Sequence, residues 1–354
     1  MTSLSEWFRQ RVPINPDTLR TFGSEPVPEH LKQWWWCLGG TAAYLLIVQV
    51  VTGVLLTFHY VPEPSHAYES VKHITEAVPF GWYLRSVHRW SSHFMIIAVI
   101  LHAVRVFFTG AYRAPREVNW IIGSLLLLVT LGFGFTGYSL VYEQLSYWGA
   151  TVAGQITEAV PLIGPTLADF IRGGERVGSN TLTRFFVFHI GILPTLIFLL
   201  VAAHLVLIRL LGVTEFKVKS TDKAEGEAKT FPFFPDHFIT ELGIGVTLMF
   251  LMTILAIVFP VGLQEQANPL VTPAHIKPEW YFFFTFRWLK LTSLTFAILS
   301  LGLVGFVAIA WPFVDRMLQR RFAIKELSLY IGLIVFIALA GMTIWEALVL
   351  FYSH

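Results

Sequence analysis

Cysteine is nearly absent from this chain, and charge is scarce. Of 354 residues one is cysteine, Cys37, so neither an internal disulfide nor a multi-cysteine metal site can form. Charged residues make up 14%, where soluble domains carry about 25%. A formal net charge of +2 leaves no basic footprint for nucleic acid. The opening stretch, MTSLSEWFRQRVPINPD, has no apolar core segment, so no cleavable signal peptide is expected. What the chain has instead is apolar surface. Apolar residues reach 55% and the mean hydropathy is +0.63, which points to a polytopic membrane protein.

Apolar runs of about 20 residues predict seven membrane spans. They are Trp34–Phe58, Tyr83–Phe108, Val118–Val141, Phe185–Leu211, Phe238–Phe259, Leu291–Phe313 and Leu327–Phe351. Between spans three and four, VAGQITEAVPLIGPTLADFI reads as helices lying at the membrane surface. A polar stretch, KVKSTDKAEGEAKTFPFFPD, joins spans four and five. It suggests a di-histidine module over 1–212, a linker over 213–236 and a C-terminal module over 237–354. Placing the N-terminus inside puts 16 of the 25 Lys and Arg residues on the inner side. That bias predicts a cytoplasmic N-terminus and a C-terminus outside. Spans two and four then both run from outside to inside.

Those two spans carry histidines, which are costly in hydrocarbon. VHRWSSHFMIIAVILHAVRVFFTG holds His88, His93 and His102, and the fourth span holds His189 and His204. His88 and His102 are 14 residues apart, hence about 40° apart around a helix and about 21 Å along it. His189 and His204 are 15 apart, about 60° and about 22 Å. Each pair therefore lies near one helix face, one member at each depth. Bringing the two helices together stacks two bis-histidine sites across the membrane. Two imidazoles fill both axial positions of a haem iron and leave an electron carrier with no open site. One such histidine is as readily a satisfied polar group between helices; four at matched depths are not. His93 faces elsewhere and is expected not to be a ligand. His59, His66 and His73 read as solvated loop residues. Gly39 and Gly53, and Gly123 and Gly137, repeat the 14-residue interval, which would let a flat macrocycle approach the backbone. Arg85 and Arg105 flank the histidines of span two, placed to pair haem propionates.

On these residues the chain resembles cytochrome b of the quinol-oxidising bc-type complexes, closest to the b6f type. The matching stretches are RSVHRW, LTRFFVFH with 15 residues from His189 to His204, the paired glycines, SYWGATV at Ser146–Val152, and ANPLVTPAHIKPEWYFFF at Ala267–Phe284. The resemblance covers nearly the whole chain, with the C-terminal module like the three-span subunit that is separate in plastids. It departs at Val141–Gln144, where the family usually shows Pro-Trp and then a small or acidic residue. It departs again after PEWY, where FTFRWLKLTSLTF lacks the usual Pro-Asn-Lys loop.

The resemblance implies an all-α membrane protein of seven transmembrane helices, a four-helix haem-binding bundle plus a three-helix module. It implies two b haems, held by His88/His189 and His102/His204, carrying electrons from quinol oxidised at an outer site to quinone at an inner one. Pro278, Glu279 and Tyr281 of PEWY, with Gly149, would form the outer quinol site, Glu279 taking up a proton. It further implies a third haem, of c type, attached through Cys37 with Arg209 beside it. No spare histidine lies at that depth in spans two or four. The expected partners are a Rieske iron–sulfur protein, a c-type cytochrome subunit, membrane lipid and a second copy of the complex, in an energy-transducing inner membrane. Two other readings compete. A di-haem anchor of a quinone-linked dehydrogenase or reductase would not need PEWY or the second module. A haem-free proton-coupled transporter would not need histidines at matched depths.

Overall fold

The protein is described by a computed structural model over residues 26–214, 230–273, 276–322 and 326–352. Among the described residues, six helices are long and apolar enough to cross a membrane: Trp34–Thr57, Gly81–Phe108, Glu117–Ser139, Ser179–Leu211, Phe233–Val258 and Leu327–Tyr352. They correspond to predicted spans one to five and seven. Their outward faces stay apolar, with Phe250, Val246 and Phe336 among the exposed side chains, as helices in lipid require. At the centre, Leu45, Leu46, Met95, Ala98, Val129, Ile197 and Met252 pack into one cluster. It draws on spans one to five and forms an apolar layer between the two histidine levels.

The sixth span differs from expectation. Leu294–Ile309 ends early, and the chain bends by 79° into Trp311–Phe322. The cause is Pro312, which has no N–H to donate to the Ala308 carbonyl one turn back. The Trp120 indole of span three donates to that carbonyl instead, at 2.9 Å. Trp311–Phe322 is amphipathic and rich in arginine, and Asp315 on it is buried. Arg113 donates to Asp315 at 2.9 Å, while Arg316 pairs with Glu117. Before the bend, Phe283–Leu291 is locked to span seven by a buried ionic clamp. Glu346, fully buried, meets Arg287 at 2.7 Å and Lys290 at 2.9 Å. In hydrocarbon such a carboxylate persists only when paired.

The loops sort into two ends. One end gathers the helices Ala67–Glu76, Gln144–Glu158 and Gly164–Arg172 with the segments 259–273 and 276–282. There Tyr68 donates to the Gln264 carbonyl at 2.7 Å, and Glu143 bridges Gln266. The other end gathers Trp311–Phe322 and an antiparallel strand pair, Pro26–Pro28 with Thr230–Pro232. This alternation agrees with the predicted order of spans. Arg9, Arg11, Arg20, Lys217, Lys219, Lys223, Lys229 and Lys325 lie outside the described residues, as does most of the predicted linker.

Candidate functional site

The four histidines meet in two pairs. His88 and His189 have ring centres 6.4 Å apart, and His102 and His204 have theirs 6.5 Å apart. A metal held in line between two imidazole nitrogens at about 2 Å each sets the ring centres roughly 6 Å apart. Both pairs have the separation that an iron between them needs.

Intervals of 14 and 15 residues would leave the two helices about 100° out of step if both were regular. Span four resolves this with a π turn at Phe188–Ile192, closed by the Leu193 N–H on the Phe188 carbonyl. Such a turn holds one residue more than an α turn, so it absorbs the extra residue. Its origin is Pro194, which cannot donate to Ile190. His189 sits inside this turn.

All four glycines face imidazole rings. A Cβ on Gly53 would lie 3.3 Å from His88 Cε1, and one on Gly39 3.3 Å from His102 Cε1. On Gly123 it would lie 3.5 Å from His204 Cε1, and on Gly137 only 2.7 Å from His189 Cε1. The reason these positions are glycine is therefore space for a ring edge, which sequence spacing did not reveal.

Threonines set the outer pair. The Thr52 hydroxyl gives its one hydrogen to the Val48 carbonyl at 2.6 Å and lies 2.8 Å from His88 Nδ1. Thr136 gives its hydrogen to the Gly132 carbonyl at 2.8 Å and lies 3.0 Å from His189 Nδ1. Each hydroxyl can then only accept from the imidazole, so Nδ1 carries the proton and Nε2 keeps a free lone pair. That is the tautomer a metal requires. The inner pair differs. Arg105 Nη2 lies 3.1 Å from His102 Nδ1, and a guanidinium only donates. Among the described residues, Arg105 Nε is buried without a hydrogen-bond partner, and His204 Nδ1 meets no side-chain partner, only the Asn119 backbone.

On the outer end, span two carries a polar ladder at i, i+4 and i+8. Arg85 Nη2 lies 4.0 Å from Glu143, Arg89 donates to Glu279 at 2.6 Å, and His93 Nδ1 accepts from the Trp280 indole at 2.9 Å. PEWY is thereby fastened to the helix that carries His88. Arg85 also donates to the carbonyls of Val261 and Gly262, at 2.6 and 3.0 Å. Tyr281 is buried, and its hydroxyl lies against the Gly134 backbone. Pro278 directly precedes Glu279, whose own backbone is extended, and Gly149 faces Tyr138. Arg89, His93, Gly134 and Tyr138 were missed in the sequence. The spacing of Arg85, Arg89 and His93 was visible, but not what they would meet.

At the inner end, Cys37 is buried, two residues before the glycine that faces His102. Its ligand atom and those of His237 and Glu241 all lie within 4.8 Å of one another. Span five supplies this histidine, which an inspection of spans two and four alone overlooks. Arg209 lies in the last turn of span four, one turn beyond His204. Among the described residues, His59, His66 and His73 form no metal-binding group.

Comparison with known proteins fits this geometry. Residues 22–212 match the family described as Cytochrome b/b6/petB, and residues 266–349 match Cytochrome b(C-terminal)/b6/petD. The chain is 37% identical over 321 residues to the "Cytochrome bc complex cytochrome b subunit" of Chlorobaculum thiosulfatiphilum, covering 89% of this chain and 74% of that one. It is 42% identical over 209 residues to the cytochrome b6 of Heliobacterium modesticaldum, covering 59% of this chain and 98% of that one. A chain of a hyperthermophilic respiratory complex III matches it with a TM-score of 0.80 and 25% identity, covering 98% of this chain and 99% of that one.

A helical membrane bundle with two stacked bis-imidazole sites defines a transmembrane electron-transfer protein. The chain belongs to the cytochrome b family, as the cytochrome b subunit of a bc-type quinol:cytochrome c oxidoreductase, a multi-pass protein of a respiratory complex. Membership implies two b haems.

Proposed function

We propose that quinol is oxidised at the outer end beside Glu279 and that quinone is reduced at the inner end. The observation that carries this reading is the ladder on span two, which holds Glu279 and Trp280 against the helix bearing His88. His88 and His189 would hold the outer b haem, and His102 and His204 the inner one. The haems supply one-electron transfer between the two ends.

Glu279 takes a proton from a quinol hydroxyl, and Arg89 holds its carboxylate in place beforehand. Tyr281, Pro278 and Gly149 shape the pocket around it. Thr52 and Thr136 keep the Nε2 lone pairs of the outer ligands aimed inward. Arg105, which donates to His102 Nδ1 here, would pair a haem propionate instead, leaving Nδ1 to carry the proton and the Nε2 lone pair to ligate. Arg85 offers its guanidinium to a propionate at the outer level. Cys37 would carry a third haem through a thioether, with Arg209 near its propionates. The donor set suits such a group, since a thiol stands beside an imidazole and a carboxylate.

The di-haem module spans 1–212 and the C-terminal module 237–354, joined by 213–236 on the cytoplasmic side. The N-terminus is cytoplasmic, the C-terminus lies outside, and the inner, energy-transducing membrane houses both modules. A Rieske iron–sulfur protein takes the first electron at the outer face and a c-type cytochrome subunit receives it, in a complex that is dimeric and bounded by lipid.

The test is Glu279→Gln in the intact complex. It keeps the shape and an acceptor oxygen but takes up no proton as a carboxylate does. Quinol oxidation is expected to slow by about 10²-fold or more, with both b haems still visible in the reduced-minus-oxidised spectrum. Unchanged turnover across pH would remove Glu279 from the reaction.

A further inference from the structure

Oxidising a quinol releases two protons, while the reading above gives this chain one carboxylate to receive them. A second stands close by. Glu143 is buried at the start of the surface helix Gln144–Glu158. It follows Tyr142, whose φ of 57° lies in a region that L-residues rarely adopt. Its carboxylate accepts from the Gln264 N–H at 3.0 Å, and Arg85 stands 4.0 Å away. The Gln264 segment leads into PEWY. The carboxylate therefore belongs to the same outer assembly as Glu279.

The charges explain why two acids are there. Arg85 and Arg89 lie one turn apart on one helix face, and like charges at that spacing repel. Each arginine faces one carboxylate, Glu143 for Arg85 and Glu279 for Arg89. With both acids ionised the four groups sum to zero. One proton leaves the group at +1, whichever acid holds it, so transfer between the acids leaves the net charge unchanged. A second proton would make it +2 and is resisted.

We propose that Glu143 is the second proton-holding carboxylate of the outer quinol site. The proposal rests on Glu279 being the first. The two protons follow one another: each leaves a quinol oxygen for Glu279, passes from Glu279 to Glu143, and leaves Glu143 for the outer aqueous phase before the next arrives. Both electrons go to the acceptors of the established reaction. Glu143 acts through Glu279 and does not touch quinol. Burial lifts its proton affinity above that of an ordinary glutamate, and the charge of Glu279 adds to this. Arg85, Arg89 and the Gln264 N–H hold it down. Among the described residues no other charged side chain acts on it in this balance; a haem propionate on Arg85 would share that arginine's charge and raise the proton affinity of Glu143 further.

The test uses the intact complex, a soluble short-chain benzoquinol and cytochrome c, with kcat and KM measured from acid to alkaline pH. Glu143→Gln still accepts from the Gln264 N–H but cannot take up a proton as a carboxylate. It is expected to lower kcat about tenfold, to leave KM for quinol unchanged and to erase the acid limb that Glu143 sets. Glu143→Asp should keep an acid limb, displaced to lower pH, because aspartate is the stronger acid. Haem spectra report assembly, and if the glutamine variant does not assemble, the aspartate variant decides. An unmoved acid limb in the variants, with Glu279→Gln slow, overturns the role of Glu143 alone. If Glu279→Gln is also as fast as the wild type, the outer-site reading falls with it.

Discussion

The two histidine pairs share a ring separation and a pair of glycines, yet they are prepared differently. At the outer level, threonine hydroxyls already fix both imidazoles in the ligating tautomer. At the inner level, an arginine occupies one Nδ1, and among the described residues no side chain fixes the other. The outer pair is pre-organised for a metal, while the inner pair would reach the ligating tautomer only once Arg105 moved away. An electron carrier beside a reacting quinol must keep its geometry while charges form nearby. The inner site, beside Cys37, His237 and Glu241, keeps a cation in reserve instead.

The sharpest break in this comparison is loss of one haem without the other. His102→Ala should remove the inner b haem completely and leave the outer largely intact, read from the low-temperature absorbance bands. Two unchanged haems would show that the pairing is wrong. Next comes Cys37. A thioether survives denaturation, whereas histidine-ligated haem does not, so a denaturing gel stained for haem peroxidase should show a band at the mass of this chain. Cys37→Ser should lose the band and keep both b haems, and mass spectrometry of an unmodified Cys37 peptide from an active preparation would remove the third haem.

Smaller effects test the fit of each ring. Gly137→Ala drives a methyl into His189 and should cost about 1–3 kcal/mol, as overpacking does, seen as loss of the outer haem on heating. Gly123→Ala meets His204 at ordinary contact distance and should be nearly silent. Equal effects would mean that the glycines serve helix packing alone. Smallest is Thr136→Val, which removes one partner from beyond the ligand shell. An affinity loss of about 10- to 100-fold for the outer haem is expected, measured by apomyoglobin competition. A Thr136→Val complex that retains haem like the wild type would place the control of His189 elsewhere.

The pairing of His88 with His189 and of His102 with His204 was legible in the sequence because histidine in hydrocarbon is costly and because their intervals nearly match. PEWY was legible by resemblance. The ladder was not, since Arg89 and His93 gain meaning only from Glu279 and Trp280, 190 and 187 residues away in the chain. His237 was hidden for the same reason: span five reaches Cys37 through packing that no periodicity encodes. The break in span six was in principle readable from Pro312. Its tolerance was not, because the indole that satisfies Ala308 comes from span three.

The π turn at His189 has a consequence for how such helices change by insertion. One residue added to a regular helix rotates everything beyond it by about 100° and would turn a ligand away from its partner. Here the surplus residue is stored within five positions, and the helix resumes its register before His204. Residue count and spatial separation are thereby uncoupled. A lineage can gain or lose a residue in this stretch and keep the same coordination, so a gap in an alignment there records a change of length and not of architecture.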